Sequence, residues 1–198
     1  MSGLKEVALR GFVAAALILA PSAAQTARAA SHALAISVTA SSVQDSGCRI
    51  LFDAQDRLNT APNHSYMTEI RGAKGKSMAS ESVFAEGVRY IKVNNKWMKS
   101  PLSLQDEQKR QQENRQRANE YSCRYMREES VQGESAVVYS AHQKNEDFTV
   151  DAQIWISKSR GLILREEEDM DVGGGAMGKS HISVRYEYSH VRAPEISH

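Results

Sequence analysis

The chain has only two cysteines, four prolines and one long apolar run, which lies near its start. Without a C-x-x-C pair there is no thiol redox motif. Neither sign of charge dominates: 25 Lys and Arg stand against 24 Asp and Glu, so there is no electrostatic footprint for nucleic acid. The six histidines (His32, His64, His142, His181, His190 and His198) are scattered, with no H-x-x-x-H spacing to set two imidazoles on one helical face for zinc. No G-x-S-x-G is present, and no nucleophile stands at a recognisable spacing from a base. A non-enzyme without metal or cofactor is therefore expected. With 41% hydrophobic and 25% charged residues, the composition is that of an ordinary folded domain.

The apolar run has an address rather than a span as its natural meaning. Lys5 and Arg10 give a basic start, Gly11 to Ala20 an apolar core, and Ala27-Arg28-Ala29 an A-x-A cleavage pattern. The core is about ten residues, roughly half of a bilayer crossing. Residues 1–29 are expected to be a signal peptide removed near Ala29, which places the mature protein in the periplasm. Losing Lys5, Arg10, Arg28 and Glu6 takes the net charge from +1 to −1. No cysteine follows Ala29 directly, so a released product is expected instead of a lipid-anchored one. Residues 30–42, rich in Ser and Ala, read as a flexible lead to one domain over 43–198.

Cys48 and Cys123 both fall in that domain, and an even count in an exported chain favours a disulfide between them. Closing so long a loop adds about 4–5 kcal/mol in the chain-entropy view. Two buried thiols are the alternative.

Cys48, Leu51, Phe52 and Leu58 recur at helical spacing, and Asn59-Thr60-Ala61-Pro62-Asn63 offers a stop. Strands are expected at Tyr66 to Arg71, Lys76 to Ala85, Val88 to Val93 and Lys96 to Met98, with Asn94-Asn95 as a hairpin turn. Residues 103–119 are almost wholly polar good helix formers, read as an exposed helix or crossover whose mixed charges form a solvated face. Beyond them, Tyr121 to Glu128, Ser135 to Ala141, Phe148 to Ile156, Leu162 to Asp169 and Ile182 to Tyr188 read as an antiparallel meander. The third and fifth of these alternate with period two.

Gly173 to Ser180 (GGGAMGKS) satisfies the phosphate-loop pattern, but that chemistry needs a helix after the loop, and a period-two strand follows instead. No nucleotide is expected there; a Gly-rich hairpin loop is. The cluster Glu166, Glu167, Glu168, Asp169 and Asp171 lacks calcium-loop spacing and reads as a solvated strand end. Trp97, Trp155, Tyr90, Tyr139, Tyr186 and Tyr188 put large rings on the sheet, as core in a closed sandwich or as cavity lining in an open one. Trp155 sits on the polar register of its strand, opposite Ile154 and Ile156.

Two segments carry a family resemblance: Glu86-Gly87-Val88-Arg89-Tyr90 with Lys96-Trp97, and Ile154-Trp155-Ile156-Ser157-Lys158 with Gly161-Leu162-Ile163-Leu164-Arg165. With the order of elements they resemble the periplasmic lipoprotein-carrier superfamily (LolA/LolB-like, RseB-like). The resemblance implies a mainly β (α+β) fold: an unclosed antiparallel half-barrel with the N-terminal helix and a helical insertion on or over its concave face. It also implies a non-catalytic role in binding a lipid-like or lipoprotein acyl ligand. Phe52, Leu58, Tyr90, Trp97 and Trp155 are the candidate lining residues. The alternative is an interaction module that meets another envelope protein through its sheet edge or the 103–119 helix.

Overall fold

In the computed structural model, described over residues 46–71, 76–172 and 178–196, a 3-10 turn at Ser46–Cys48 leads into helix α1, Arg49–Leu58. Strands β1 to β4 follow at Asn63–Arg71, Lys76–Ala85, Val88–Val93 and Lys96–Lys99, then helix α2 at Leu104–Arg117. Strands β5 to β9 occupy Glu120–Val131, Glu134–Lys144, Phe148–Ser157, Ile163–Val172 and Lys179–Glu187. The expected signal peptide, the 30–42 lead and residues 173–177 of the Gly-rich loop lie outside the described residues.

All nine strands join one antiparallel sheet in the order β4-β3-β2-β1-β9-β8-β7-β6-β5. Its ends, β4 and β5, do not pair with each other, so the sheet is not closed into a barrel. Glu86-Gly87, Asn94-Asn95 and Gln132-Gly133 each place two successive residues at positive φ, the mirror-image turn whose twist suits a tight hairpin. α2 is the crossover from one sheet edge to the other. Its 14 residues span about 21 Å at about 1.5 Å per residue.

Leu51, Ala54 and Leu58, spaced three and four apart, turn one stripe of α1 onto the sheet. They meet Phe148, Val150, Ile154, Ile156, Met170 and Ile182 in the largest apolar cluster among the described residues. Leu51 is 1% exposed, and burying a leucine is worth about 2–3 kcal/mol. The Cys48–Cys123 disulfide is formed and pins the start of α1 to β5 across 75 residues of chain. On the opposite face, Val131, Ala136, Val138, Trp155 and Leu164 make a smaller cluster, and Val83, Ala85 and Tyr90 pack with Val191, Ala193 and Ile196 in a third.

Candidate functional site

The two faces of the sheet differ in chemistry. On the helix-covered face α1 contributes buried apolar residues, whereas no residue of α2 is buried. α2 begins with a capping box, in which Ser103 and Asp106 satisfy each other's backbone N–H groups. It is held by polar links. Asn59 Nδ2 donates to Gln111 at 2.8 Å, Arg115 Nη2 to Gln55 at 2.7 Å, Gln143 Nε2 to the Asn114 carbonyl at 3.3 Å, and Arg89 Nε to Glu107 at 2.9 Å. Arg115 also lies 4.4 Å over the Phe52 ring, and the Tyr121 ring stands 5.2 Å from it. Under these links a cavity of about 40 Å³ is lined by Gln55, Gln111, Arg115, Tyr121 and Phe148, among others.

Two carboxyls interrupt this apolar face. The alternation of β8 sends Glu166 and Glu168 inward, where their cross-strand partners are Ile154, Ala152, Val184 and Ile182. Glu166 is 7% exposed and accepts a bond from the Tyr186 hydroxyl at 2.7 Å. Burial raises both carboxyls. Glu168, raised further by the charge of Glu166, reaches about 8. Burial also pushes up the Tyr186 and Tyr121 hydroxyls. The reading of residues 166–171 as a wholly solvated strand end is thus corrected: Glu167, Asp169 and Asp171 face outward, and Glu166 and Glu168 do not.

Two of the cavities lined by described residues lie on the open face of the sheet. One, of about 910 Å³, crosses β5 to β9; His142, Asp151, Gln153, Trp155, Asp169 and His181 are among its walls. His142 Nδ1 lies 2.8 Å from Asp151, while His181 contacts Asp169 through Nδ1 at 2.9 Å and Glu167 through Nε2 at 3.0 Å. Both His181 contacts are to carboxylates, and its pKa is raised, first by the bond to Asp169. The second cavity, about 490 Å³, joins β1, β8, β9 and the β5–β6 turn, and shares Arg165 with the first. Among the described residues, no group of three His, Cys, Asp or Glu is arranged to hold a metal ion.

The candidate lining residues fall in three places. Phe52 and Leu58 belong to the helix-covered face. Tyr90 and Trp97 lie together beneath residues 191–196, on the opposite side of β3 and β4 from α2. Trp155, 4% exposed, is on the open face as its register requires, with Arg165 4.8 Å and Arg127 5.9 Å from its ring centroid. Tyr121 and Phe148, beside Phe52 and the small cavity, are not among the expected lining residues, although Phe148 heads the period-two alternation of its strand and Tyr121 is the second residue of β5. Lys179 and Ser180 of the phosphate-loop pattern open strand β9, not a helix.

No protein-family model matches the chain, and no curated protein matches it. Among solved structures it is similar to the lipoprotein LppX of Mycobacterium tuberculosis, at 9% identity over 73% of this chain and 96% of that one, with a TM-score of 0.41. It is similar to LprF of Mycobacterium bovis at 9% identity over 75% and 96%, with a TM-score of 0.41. A DUF1329 family protein from Desulfovibrio piger gives 14% identity over 74% and 93%, with a TM-score of 0.31.

Proposed function

We propose that the chain is a non-catalytic binding protein of the periplasm that holds the acyl chain of a lipid-like or lipoprotein ligand between its two helices and the sheet. The observation that carries this reading is the contrast between α1 and α2. The largest apolar cluster of the sheet lies on the helix face, yet the helix that crosses that face contributes no buried residue and is tied down by polar links and the Arg115–Phe52 contact. Such links are worth about 1 kcal/mol each, so lifting α2 costs about 4 kcal/mol. Burying about five methylene groups at about 0.8 kcal/mol each offsets that cost. Phe52, Leu58, Tyr121 and Phe148 are the side chains that α2 would uncover. The Cys48–Cys123 bridge supports an oxidising compartment, consistent with removal of residues 1–29.

A fluorescence titration of the delipidated protein with a pyrene-labelled acyl probe tests this. Saturable one-to-one binding, weakened about tenfold by Phe52→Ala at unchanged fold, is expected from losing most of a ring's contact area. Absence of binding, or binding indifferent to Phe52→Ala, contradicts the reading.

A further inference from the structure

Arg165 of β8 and Arg185 of β9 are direct cross-strand partners on the open face. Like charges so placed destabilise a sheet. Each guanidinium is nevertheless held in position twice over. Arg165 stacks 4.8 Å from the Trp155 centroid and donates from Nε and Nη2 to Glu167 Oε1 at 2.8 and 2.6 Å. Arg185 stacks 4.6 Å from the Tyr66 centroid and pairs through Nη1 with Glu187 at 2.8 Å. A ring beneath and a glutamate two residues along fix the direction of each fork, the kind of support that preorganises a binding group.

Both arginines line the 490 Å³ cavity, and Thr68, Ser130, Ser183 and Gln132 add hydroxyl and amide groups to its wall. Their side chains remain 44% and 48% exposed, so an incoming group reaches them without rearrangement. Glu129 also lines the cavity, but Arg127 Nε donates to its carboxylate at 3.0 Å, so its charge is already matched.

We propose that this cavity is an oxyanion site for a phosphate-bearing group, bound by the guanidinium groups of Arg165 and Arg185, with the Nε–Nη2 edge of Arg165 staying on Glu167. Guanidinium N–H groups match phosphate oxygens geometrically, and an anion between the two adds to the neutralisation that Glu167 and Glu187 already give the pair. The site owes nothing to the GGGAMGKS segment. It lies across the sheet from α1 and α2, and so is independent of the acyl-binding reading.

Two parallel measurements on the intact chain test the proposal: calorimetric titration with inorganic phosphate at low ionic strength, and flotation with phosphatidylglycerol–phosphatidylcholine vesicles. Saturable phosphate binding is expected, weakened about tenfold by Arg185→Gln and by Arg165→Gln, since a hydrogen bond to a charged group is at stake in each. Arg185→Lys, which keeps the charge but not the fork, is expected to fall between parent and glutamine variant, and it serves where the glutamine variant fails to fold. Flotation abolished by the same substitutions identifies a lipid headgroup as the source of the phosphate. Phosphate binding without flotation assigns the site to a soluble phosphate compound. No saturable phosphate binding by the parent, or an affinity unchanged in both glutamine variants, overturns the proposal. The glutamine variants keep the parent's affinity for the pyrene probe, so failure of one site is distinguishable from failure of the other.

Discussion

Replacing Glu168 by glutamine is expected to stabilise the protein at pH 8 and to leave it unchanged near pH 5. The carboxyl sits between Ala152 and Ile182 on the helix-covered face, with Glu166 two residues away on the same strand face and no Lys or Arg among its cross-strand partners. Burial, then the Glu166 charge, raise it from 4.5 to about 8. Through that interval the folded chain keeps a proton that the unfolded chain has lost, so stability falls as pH rises and levels off above about 8. A fully sealed group would cost about 5 kcal/mol. Glu168 is half-buried, and solvent screening reduces the cost to about 2 kcal/mol. Glutamine has no proton to lose. His181, whose folded pKa is also raised, adds stability at low pH that is lost in the same direction. The quantity to measure is therefore the difference between variant and parent in urea unfolding at pH 5, 6.5 and 8. A gap that opens to about 2 kcal/mol by pH 8 is expected; parallel curves refute the burial argument.

Removing the disulfide through Cys48→Ser with Cys123→Ser closes no 75-residue loop in the unfolded state and is expected to cost about 4.5 kcal/mol, read by urea unfolding. Gly161→Ala places a Cβ at φ +64°, 2.0 Å from Arg57 Nη1, and is expected to cost about 1 kcal/mol; Arg57→Ala in the same chain relieves the contact but not the backbone term. Arg89→Ala leaves Glu107 without its ion pair, and hydrogen exchange is expected to quicken across Leu104–Arg117 while β7 stays protected.

β2 and β3 were legible to the residue: they occupy the spans indicated by short runs rich in β-branched and aromatic residues. β1 starts at Asn63 rather than Tyr66 because its first residues are polar yet buried. Asn63 Nδ2 donates to the carbonyls of Leu58 and Ala61, and Ser65 lies against Ser82 at 2.8 Å. The same weight given to polarity hid Glu166 and Glu168, whose alternation with Glu167 and Asp169 was visible but was outvoted by charge. The R-x-E spacing recurs at Arg127, Arg165 and Arg185, so each local pair was readable. That Arg165 meets Arg185 depends on strand register, which no local pattern encodes. Tyr90 and Trp97 illustrate the other limit. Their cover comes from residues 191–196, an irregular segment without periodicity.

The most direct test of acyl binding is mass spectrometry of an organic extract of the protein purified from the envelope of its own organism. One acyl-bearing molecule per chain, reduced in the Phe52→Ala protein, is the expected result. A folded protein, disulfide intact, that yields no acyl compound contradicts the account.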